Sequence, residues 1–148
     1  MSKFSMEFFM ENDKGKQSPE IEVEGVARFS FPEGHELAGQ PIPWILKPIT
    51  TKQMEDIQKR NTVITRNKGI TNSITDQRRA TREMILETIV FPDFKDPKWL
   101  ESTKFVDPVD LLMDVLSLPG DFTRITSEVM DINGLGDNKD DLIKEAKN

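Results

Sequence analysis

The sequence predicts an α+β protein, in which a small N-terminal antiparallel β-ribbon or sheet is followed by a mainly α-helical C-terminal bundle. Apolar residues alternate with polar ones in two stretches before residue 49, as in half-buried strands. After residue 50 they recur at helical spacing, and two Asp-Pro pairs mark helix starts. The 148 residues are 36% hydrophobic and 31% charged. This suits one domain over residues 1–148, β-rich in 1–49 and helical in 50–148.

The β-rich part contains two predicted strands, in residues 21–31 and 44–49. In the first, Ala27, Phe29 and Phe31 would share one face of the strand. The intervening twelve residues contain three prolines and two glycines, which end the strand and form a loop. The two strands would pair across this loop as an antiparallel ribbon.

The apolar segment MEFFM, at residues 6–10, is the predicted third strand, because a two-stranded ribbon alone is only marginally stable. A terminal segment can also act as a mobile arm that docks on its own core or on a partner. Phe8, Phe9 and Met10 are therefore candidate partner-binding residues. Two aromatic residues of the C-terminal part, Trp99 and Phe105, complete the candidate set.

The first helix is predicted to begin after Thr50, because Gln53 three residues later completes a capping box. Residues 62–75 contain Gly69 and two asparagines among β-branched residues, which indicates a loop or a broken strand. A second helix is predicted over residues 76–90. The Phe-Pro pair at 91–92 would stop it.

Proline and aspartate mark the later helices. Asp96 and Asp107 each precede a proline, so each is predicted to cap a helix that has proline at its first position. The Pro-Gly pair at 119–120 predicts a break, and the following residues repeat apolar side chains at helical spacing. The predicted apolar stripes of these two longer helices are Val109, Leu112, Met113 and Leu116, then Phe122, Ile125, Val129 and Ile132.

The stretch DINGLGDNKDDL near the C-terminus resembles a calcium loop at first sight. Asp131, Asn133 and Asp137 occupy ligand positions of an EF-hand frame. However, Leu135 and Leu142 replace two of the side-chain ligands, including the bidentate carboxylate that closes the site. The predicted alternative is a joint between two helices, with apolar contacts from both leucines. In this joint the left-handed residue is Gly134 or Gly136, and the next cap is Asp137 or Asn138.

The composition gives little support for an enzyme active site, a metal site or nucleic-acid binding. The chain has no cysteine and a single histidine, His35, so thiolate zinc sites and histidine-based relays are excluded. No nucleotide-binding or nucleophile motif occurs, and no apolar run is long enough to cross a membrane. The basic stretch at 66–82 lacks aromatic residues for base stacking, which argues against nucleic acid. We therefore expect no catalytic site, cofactor or metal.

Charge is unevenly distributed along the chain, which carries a net charge of −6. Residues 51–82 contain eight basic and three acidic groups, whereas residues 83–148 contain seven basic and fifteen acidic groups. Such asymmetry can drive self-association or attract a charged partner. Solvated helix faces would give the same pattern.

The order of short motifs along the chain resembles that of the XkdN-like tail assembly chaperones of phages and defective prophages. The similarity extends from about Met6 to Asn148 and rests on MEFFMEN, ARF, PIPWILKPIT, IVFPDF, DLLMDVLSLPGDF, DINGL and LIKEAKN, in that order. This chain has phenylalanine before Pro-Asp-Phe where the family pattern has tyrosine before Pro-Asp-Leu. It also has Pro-Gly-Asp in place of Pro-Gly-Glu.

The resemblance implies an α+β fold and a cytoplasmic assembly factor that is absent from the finished virion. Such a factor would bind the tape measure protein, keep it soluble and assist assembly of the tail tube around it. The implied partners are this tape measure protein, further copies of the chain, and a longer form made by ribosomal frameshifting. The alternative is a structural tail tube or completion protein that remains in the particle.

Overall fold

The computed structural model describes residues 3–13 and 19–147. Its elements are α1 (Met6–Asp13), β1 (Ile21–Val23), β2 (Trp44–Leu46), α2 (Thr51–Arg60), β3 (Thr62–Asn67), β4 (Ile70–Thr75), α3 (Gln77–Thr88), β5 (Ile89–Phe91), α4 (Pro97–Thr103), α5 (Pro108–Val115), α6 (Pro119–Ile132), a 3₁₀ turn (Gly136–Asn138) and α7 (Lys139–Lys147). Helices and two antiparallel sheets are thus combined, which confirms the predicted α+β class.

The main sheet has three antiparallel strands in the order β1-β2-β5. Its central strand, β2, buries Trp44 and Leu46, and Leu46 pairs with Ile89 of β5. The prediction that MEFFM supplies the third strand is therefore wrong, since residues 6–13 form helix α1. The third strand is β5 instead, which follows directly from α3, pairs with β2 and buries Ile89.

The first predicted strand is shorter than expected. Regular pairing ends at Val23, and the chain then bends, with a single bridge between Ser30 and Pro41. Val26 is buried in this bend, Ala27 is exposed and Phe29 packs against the core, so this stretch does not form the regular strand face that the sequence predicts. The bend requires glycine at position 25, because a Cβ on the buried Gly25 would lie 1.8 Å from the carbonyl oxygen of Ile42.

Residues 62–75 form a regular β-hairpin, where the sequence indicated a loop or a broken strand. β3 and β4 pair over six residues each, from Thr62 with Thr75 to Asn67 with Ile70. Lys68 and Gly69 have φ angles of 51° and 80°, so both central residues of the turn are left-handed, as in a type I′ hairpin turn. This two-stranded sheet is separate from the main one.

The predicted helix starts are confirmed at the level of individual hydrogen bonds. Thr50 and Gln53 form the reciprocal capping box of α2. Asp96 and Asp107 accept hydrogen bonds from the second residues of α4 and α5, and proline follows each of them. Pro119, which the sequence predicts as a break, is the first residue of α6. Proline is favoured at this position because a backbone N–H there would have no partner within the helix.

The central element of the helical part is α3, which packs against α2, α5, α6 and α7. Its buried face and those of α5 and α6 share one apolar core with the main sheet. At the C-terminus, α6 ends at Ile132, Gly134 just beyond it is left-handed (φ 73°), and the N–H of Leu135 donates to the carbonyl oxygen of Met130 at 2.8 Å. This is a Schellman ending. Leu135 and Leu142 pack on the core, as the predicted joint requires.

Candidate functional site: an aromatic cleft

An apolar cleft of about 220 Å³ lies where the main sheet meets α4 and the loop between β1 and β2. The residues that line it are Phe29, Ile42, Trp44, Phe91, Pro92 and Trp99. We call this feature the aromatic cleft. Pockets that hold small ligands have volumes of roughly 300–1,000 Å³. The aromatic cleft therefore has a size suited to one or two apolar side chains of a partner.

Stacked and edge-to-face rings hold the cleft in shape. The rings of Trp44 and Phe94 meet edge to face with 5.7 Å between centroids, and Phe94 stacks on Trp99 at 5.1 Å. Trp99 in turn contacts Phe29 edge to face at 6.2 Å. Trp44 and Phe94 are buried, whereas Phe29 and Trp99 are half-buried. A buried pair thus supports the two rings that face the opening.

A cation borders the cleft beside Phe29. The guanidinium carbon of Arg28 lies 5.2 Å from the centroid of the Phe29 ring. The same group donates a 3.0 Å hydrogen bond to the carbonyl oxygen of Asp114 and forms a 3.3 Å ion pair with its carboxylate. This contact fixes the loop that carries Phe29 to the end of α5.

The titratable groups with shifted pKa values lie away from the cleft. At Asp107, burial acts to raise the pKa, but the hydrogen bonds from Arg79 and the Val109 N–H, together with the charge of Arg79, outweigh it and hold the pKa below its ordinary value. Burial lowers the pKa of Arg82, which donates to the carbonyl oxygen of Ala146. Within residues 3–13 and 19–147, no group of three or more acidic or histidine side chains could hold a metal ion. The residues that line the cleft are themselves apolar or aromatic.

The candidate partner-binding residues lie in three different places. Trp99 lines the aromatic cleft. Phe105 is half-buried and packs against the core beyond α4. Phe8, Phe9 and Met10 lie on α1, where Phe9 and Met10 expose 71% and 62% of their surface.

Sequence reasoning missed most of the cleft. The sequence places Phe29 on a strand face and Phe91-Pro92 at a helix stop; in the structure these three residues and Trp44, which is buried in the core, line the cleft together. Their proximity depends on the pairing of β2 with β5, which brings together residues about 45 positions apart. Phe91 exposes 47% of its surface on an edge strand. An aromatic residue between two apolar neighbours, Val90 and Pro92, was the available signal.

The fold and the cleft together define a small α+β protein with an apolar surface suited to contact with another protein. The chain belongs to the family of phage XkdN-like tail assembly chaperone proteins, whose family model matches residues 6–147. This confirms the resemblance seen in the sequence. The family is one of assembly chaperones rather than of enzymes. None of the helices in the described part of the chain is both long and apolar enough to cross a bilayer.

Two curated relatives come from Bacillus subtilis (strain 168). The phage-like element PBSX protein XkdN is 33% identical over 147 residues, which cover 98% of this chain and 95% of the relative. The uncharacterized protein YqbN is 32% identical over 98% of this chain and 94% of its own length. The crystal structure of the protein YqbN superposes with a TM-score of 0.70 at 29% identity, covering 90% of this chain and 98% of that one.

Proposed function

We propose that this tail assembly chaperone binds the tape measure protein, keeps it soluble in the cytoplasm during tail assembly, and is released before the particle is complete. The observation that carries the proposal is the aromatic cleft, an apolar opening in which Phe91 is exposed and Phe29 and Trp99 are half-buried. A tape measure protein is a very long, largely helical chain with apolar stripes. Side chains from such a stripe are ligands of the size and chemistry that the cleft accepts.

Release is part of the proposed function, and it favours several weak contacts over one tight site. The cleft is small, and α1 offers a second apolar surface through Phe9 and Met10. Repeated along many copies, such contacts would cover the stripe and give way one at a time as tube subunits assemble. The net charge of −6 would keep the complex soluble.

The test is co-expression with the tape measure protein encoded near this gene, scored by soluble yield and co-purification. Phe91→Ser removes a ring from the cleft, and its matched control is Val90→Ser on the same strand. The two side chains are similarly exposed, at 47% and 42%, but Val90 does not line the cleft. Wild type and Val90→Ser should solubilise the tape measure protein. We expect Phe91→Ser to retain roughly tenfold less of it, as for loss of a central aromatic contact.

If the two variants retain equal amounts of the tape measure protein, the cleft is not the binding surface. The remaining candidate is then α1, and deletion of residues 1–12 tests it. If the wild-type chain leaves the tape measure protein insoluble, even alongside any longer frameshifted product, the chaperone role toward this partner is wrong. Mass spectrometry of purified particles then examines the alternative. Stoichiometric amounts of the chain in particles would identify a structural tail component, whereas a chaperone should be absent.

A further inference from the structure

The β3–β4 hairpin exposes apolar residues although a two-stranded sheet gains little stability alone. Val63, Ile70 and Ile74 expose 62–70% of their surface. The observed register places these three side chains on one face of the hairpin, together with Thr65, Asn67 and Asn72. Exposed apolar residues grouped in this way are a candidate surface for contact with another protein chain.

The free edge of β4 is open to another strand. In a type I′ hairpin the pair that flanks the turn, Asn67 with Ile70, exchanges both backbone hydrogen bonds, and every second pair does likewise. The N–H of Asp76 donates to the carbonyl oxygen of Asn61 at 2.8 Å, which continues the same alternation. Thr71 and Ser73 therefore direct their N–H and C=O groups away from β3, where the described residues supply no further strand.

β4 also lacks the features that protect edge strands. Its sequence, ITNSIT, contains no charge, proline or glycine. β3, by contrast, carries Arg66 within the strand and offers a single apolar residue, Val63, on the shared face. Of the two open edges, β4 is the one that another strand can approach without a charge in the way.

We propose that β4 pairs antiparallel with β4 of a second copy of this chain, about a two-fold axis at Asn72. The outward groups of Thr71 on one copy would then exchange hydrogen bonds with those of Ser73 on the other. On the apolar face, Ile70 of each copy lies opposite Ile74 of its partner, and the two Asn72 side chains meet at the axis. These are pairs without backbone hydrogen bonds, in which side chains approach most closely.

Charge favours this register over the neighbouring one. With Asn72 opposite itself, the turn that carries Lys68 in one copy comes close to the base of the hairpin that carries Asp76 in the other, and symmetry creates this approach of opposite charges twice. Neither side chain forms an ion pair with a described residue of its own chain. A shift of two residues would instead place Ile74 opposite Asn72 and Ile70 opposite Asp76. The β4 pattern is self-complementary in the Asn72-centred register and mismatched in the shifted one.

The resulting four-stranded sheet would place both copies of Val63, Ile70 and Ile74 on one face. A sheet of four strands is also more stable than an isolated two-stranded hairpin. The interface is small, so we expect a weak dimer. The proposal involves this chain alone and does not depend on the tape measure protein.

A cysteine cross-link tests the two-fold axis directly, because the native chain contains no cysteine. Asn72→Cys would place two thiols opposite each other, with Cα atoms about 4.5 Å apart, within the range of a disulfide. The matched control is Thr65→Cys, which lies beside Asn72 on the same face but on the other strand. Mild oxidation of the full chain should convert Asn72→Cys to a species of twice the monomer mass and leave Thr65→Cys monomeric. Equal cross-linking of both variants, none in either, or preferential cross-linking of Ser73→Cys would overturn the Asn72-centred pairing.

A charge-swap experiment tests the pairing at the Asn72 axis without a disulfide cross-link. In sedimentation experiments at high protein concentration, Asn72→Lys and Asn72→Asp should each be monomeric, because like charges would meet at the axis. An equimolar mixture of the two variants should recover the dimer, and Thr65→Lys should behave like wild type. If the single variants dimerise as wild type does, or if the mixture stays monomeric, the proposal is wrong.

Discussion

The guanidinium of Arg124 on α6 donates a 2.9 Å hydrogen bond to the carbonyl oxygen of Gly25, 99 residues earlier in the chain. A second bond, of 2.6 Å, reaches the carbonyl oxygen of Glu24. These two carbonyl groups follow β1, where regular strand pairing has ended. One side chain thus supplies the hydrogen bonds that a strand would otherwise supply, and it holds the loop that carries Phe29 and Ile42 against the helices.

Replacement of Arg124 should therefore destabilise the protein and loosen the cleft. We expect Arg124→Ala to lower the free energy of unfolding by about 1.5–3 kcal/mol, the range for hydrogen bonds from a charged donor. Arg124→Lys should recover only part of this, because an ammonium group lacks the planar fork that reaches both carbonyl groups. Urea unfolding measures both effects. Arg78→Ala, on an exposed part of α3, is the control and should change stability by less than about 0.5 kcal/mol.

Gly25 itself is a second test of the same junction. A Cβ at this position would overlap the carbonyl oxygen of Ile42 at 1.8 Å and approach Cδ1 of Trp44 to 3.1 Å. We expect Gly25→Ala to cost about 2 kcal/mol or more of unfolding free energy, since backbone must move to admit it. Gly120→Ala is the matched control, because nothing lies within 4 Å of its added Cβ. There, within α6, alanine should stabilise by about 0.4–1 kcal/mol.

The parts of the fold that local chemistry determines could be predicted from the sequence. A capping residue and its partner lie within three positions of each other, so the starts of α2, α4 and α5 could be predicted from the sequence. The same holds for the joint at Gly134, where missing ligands argued against calcium and the Schellman bonds now account for the glycine.

The parts that depend on distant contacts could not be predicted in this way. MEFFM and the IVF of β5 are both short apolar runs, and only the pairing with β2 distinguishes the strand from the helix. The hairpin could not be predicted because both of its faces are exposed. The sequences of β3 and β4 therefore show no alternation between buried apolar and exposed polar residues. The cleft could not be predicted because its rings come from separate segments of the chain.

The ion pair between Arg79 and Asp107 predicts a pH dependence of stability. The two side chains meet at 2.9 Å, and the pKa of Asp107 is lower in the folded state than its usual value near 3.9. A lowered carboxyl pKa stabilises the fold above the unfolded pKa, and this contribution is lost as pH falls through the folded pKa. Because both side chains are partly exposed, we expect the pair to contribute only about 0.5–1 kcal/mol at pH 7.

Asp107→Asn isolates this contribution, because asparagine caps a helix about as well as aspartate. The variant should be less stable than wild type at pH 7, and the difference should disappear by about pH 2–3. Asp96→Asn is the control, since Asp96 caps α4 but forms no ion pair with any described residue. A difference for Asp107→Asn that persists unchanged at low pH would attribute the loss to the cap rather than to the charge.

Asn133 separates the structural explanation of the C-terminal joint from the calcium explanation. Its amide oxygen accepts a 2.9 Å hydrogen bond from the N–H of Ile49, and its amide nitrogen donates 3.0 Å bonds to Thr88 Oγ1 and to the carbonyl oxygen of Val129. One side chain thereby joins the end of the main sheet to α3 and α6. In a calcium loop, aspartate is an accepted residue at this position.

The two explanations predict opposite results for Asn133→Asp. The hydrogen-bond network loses its donor and brings a carboxylate oxygen against the Val129 carbonyl, so we expect a loss of about 2–3 kcal/mol in unfolding free energy, with or without calcium. A calcium loop would instead become a better site, and added calcium would stabilise the variant by mass action. Urea unfolding with millimolar calcium or with chelator distinguishes them. Asp137→Asn at an exposed position of the same frame is the control and should be nearly neutral. Calcium-dependent stabilisation of Asn133→Asp would restore the metal-site explanation, and its absence together with the loss of stability would identify Asn133 as the residue that holds the joint.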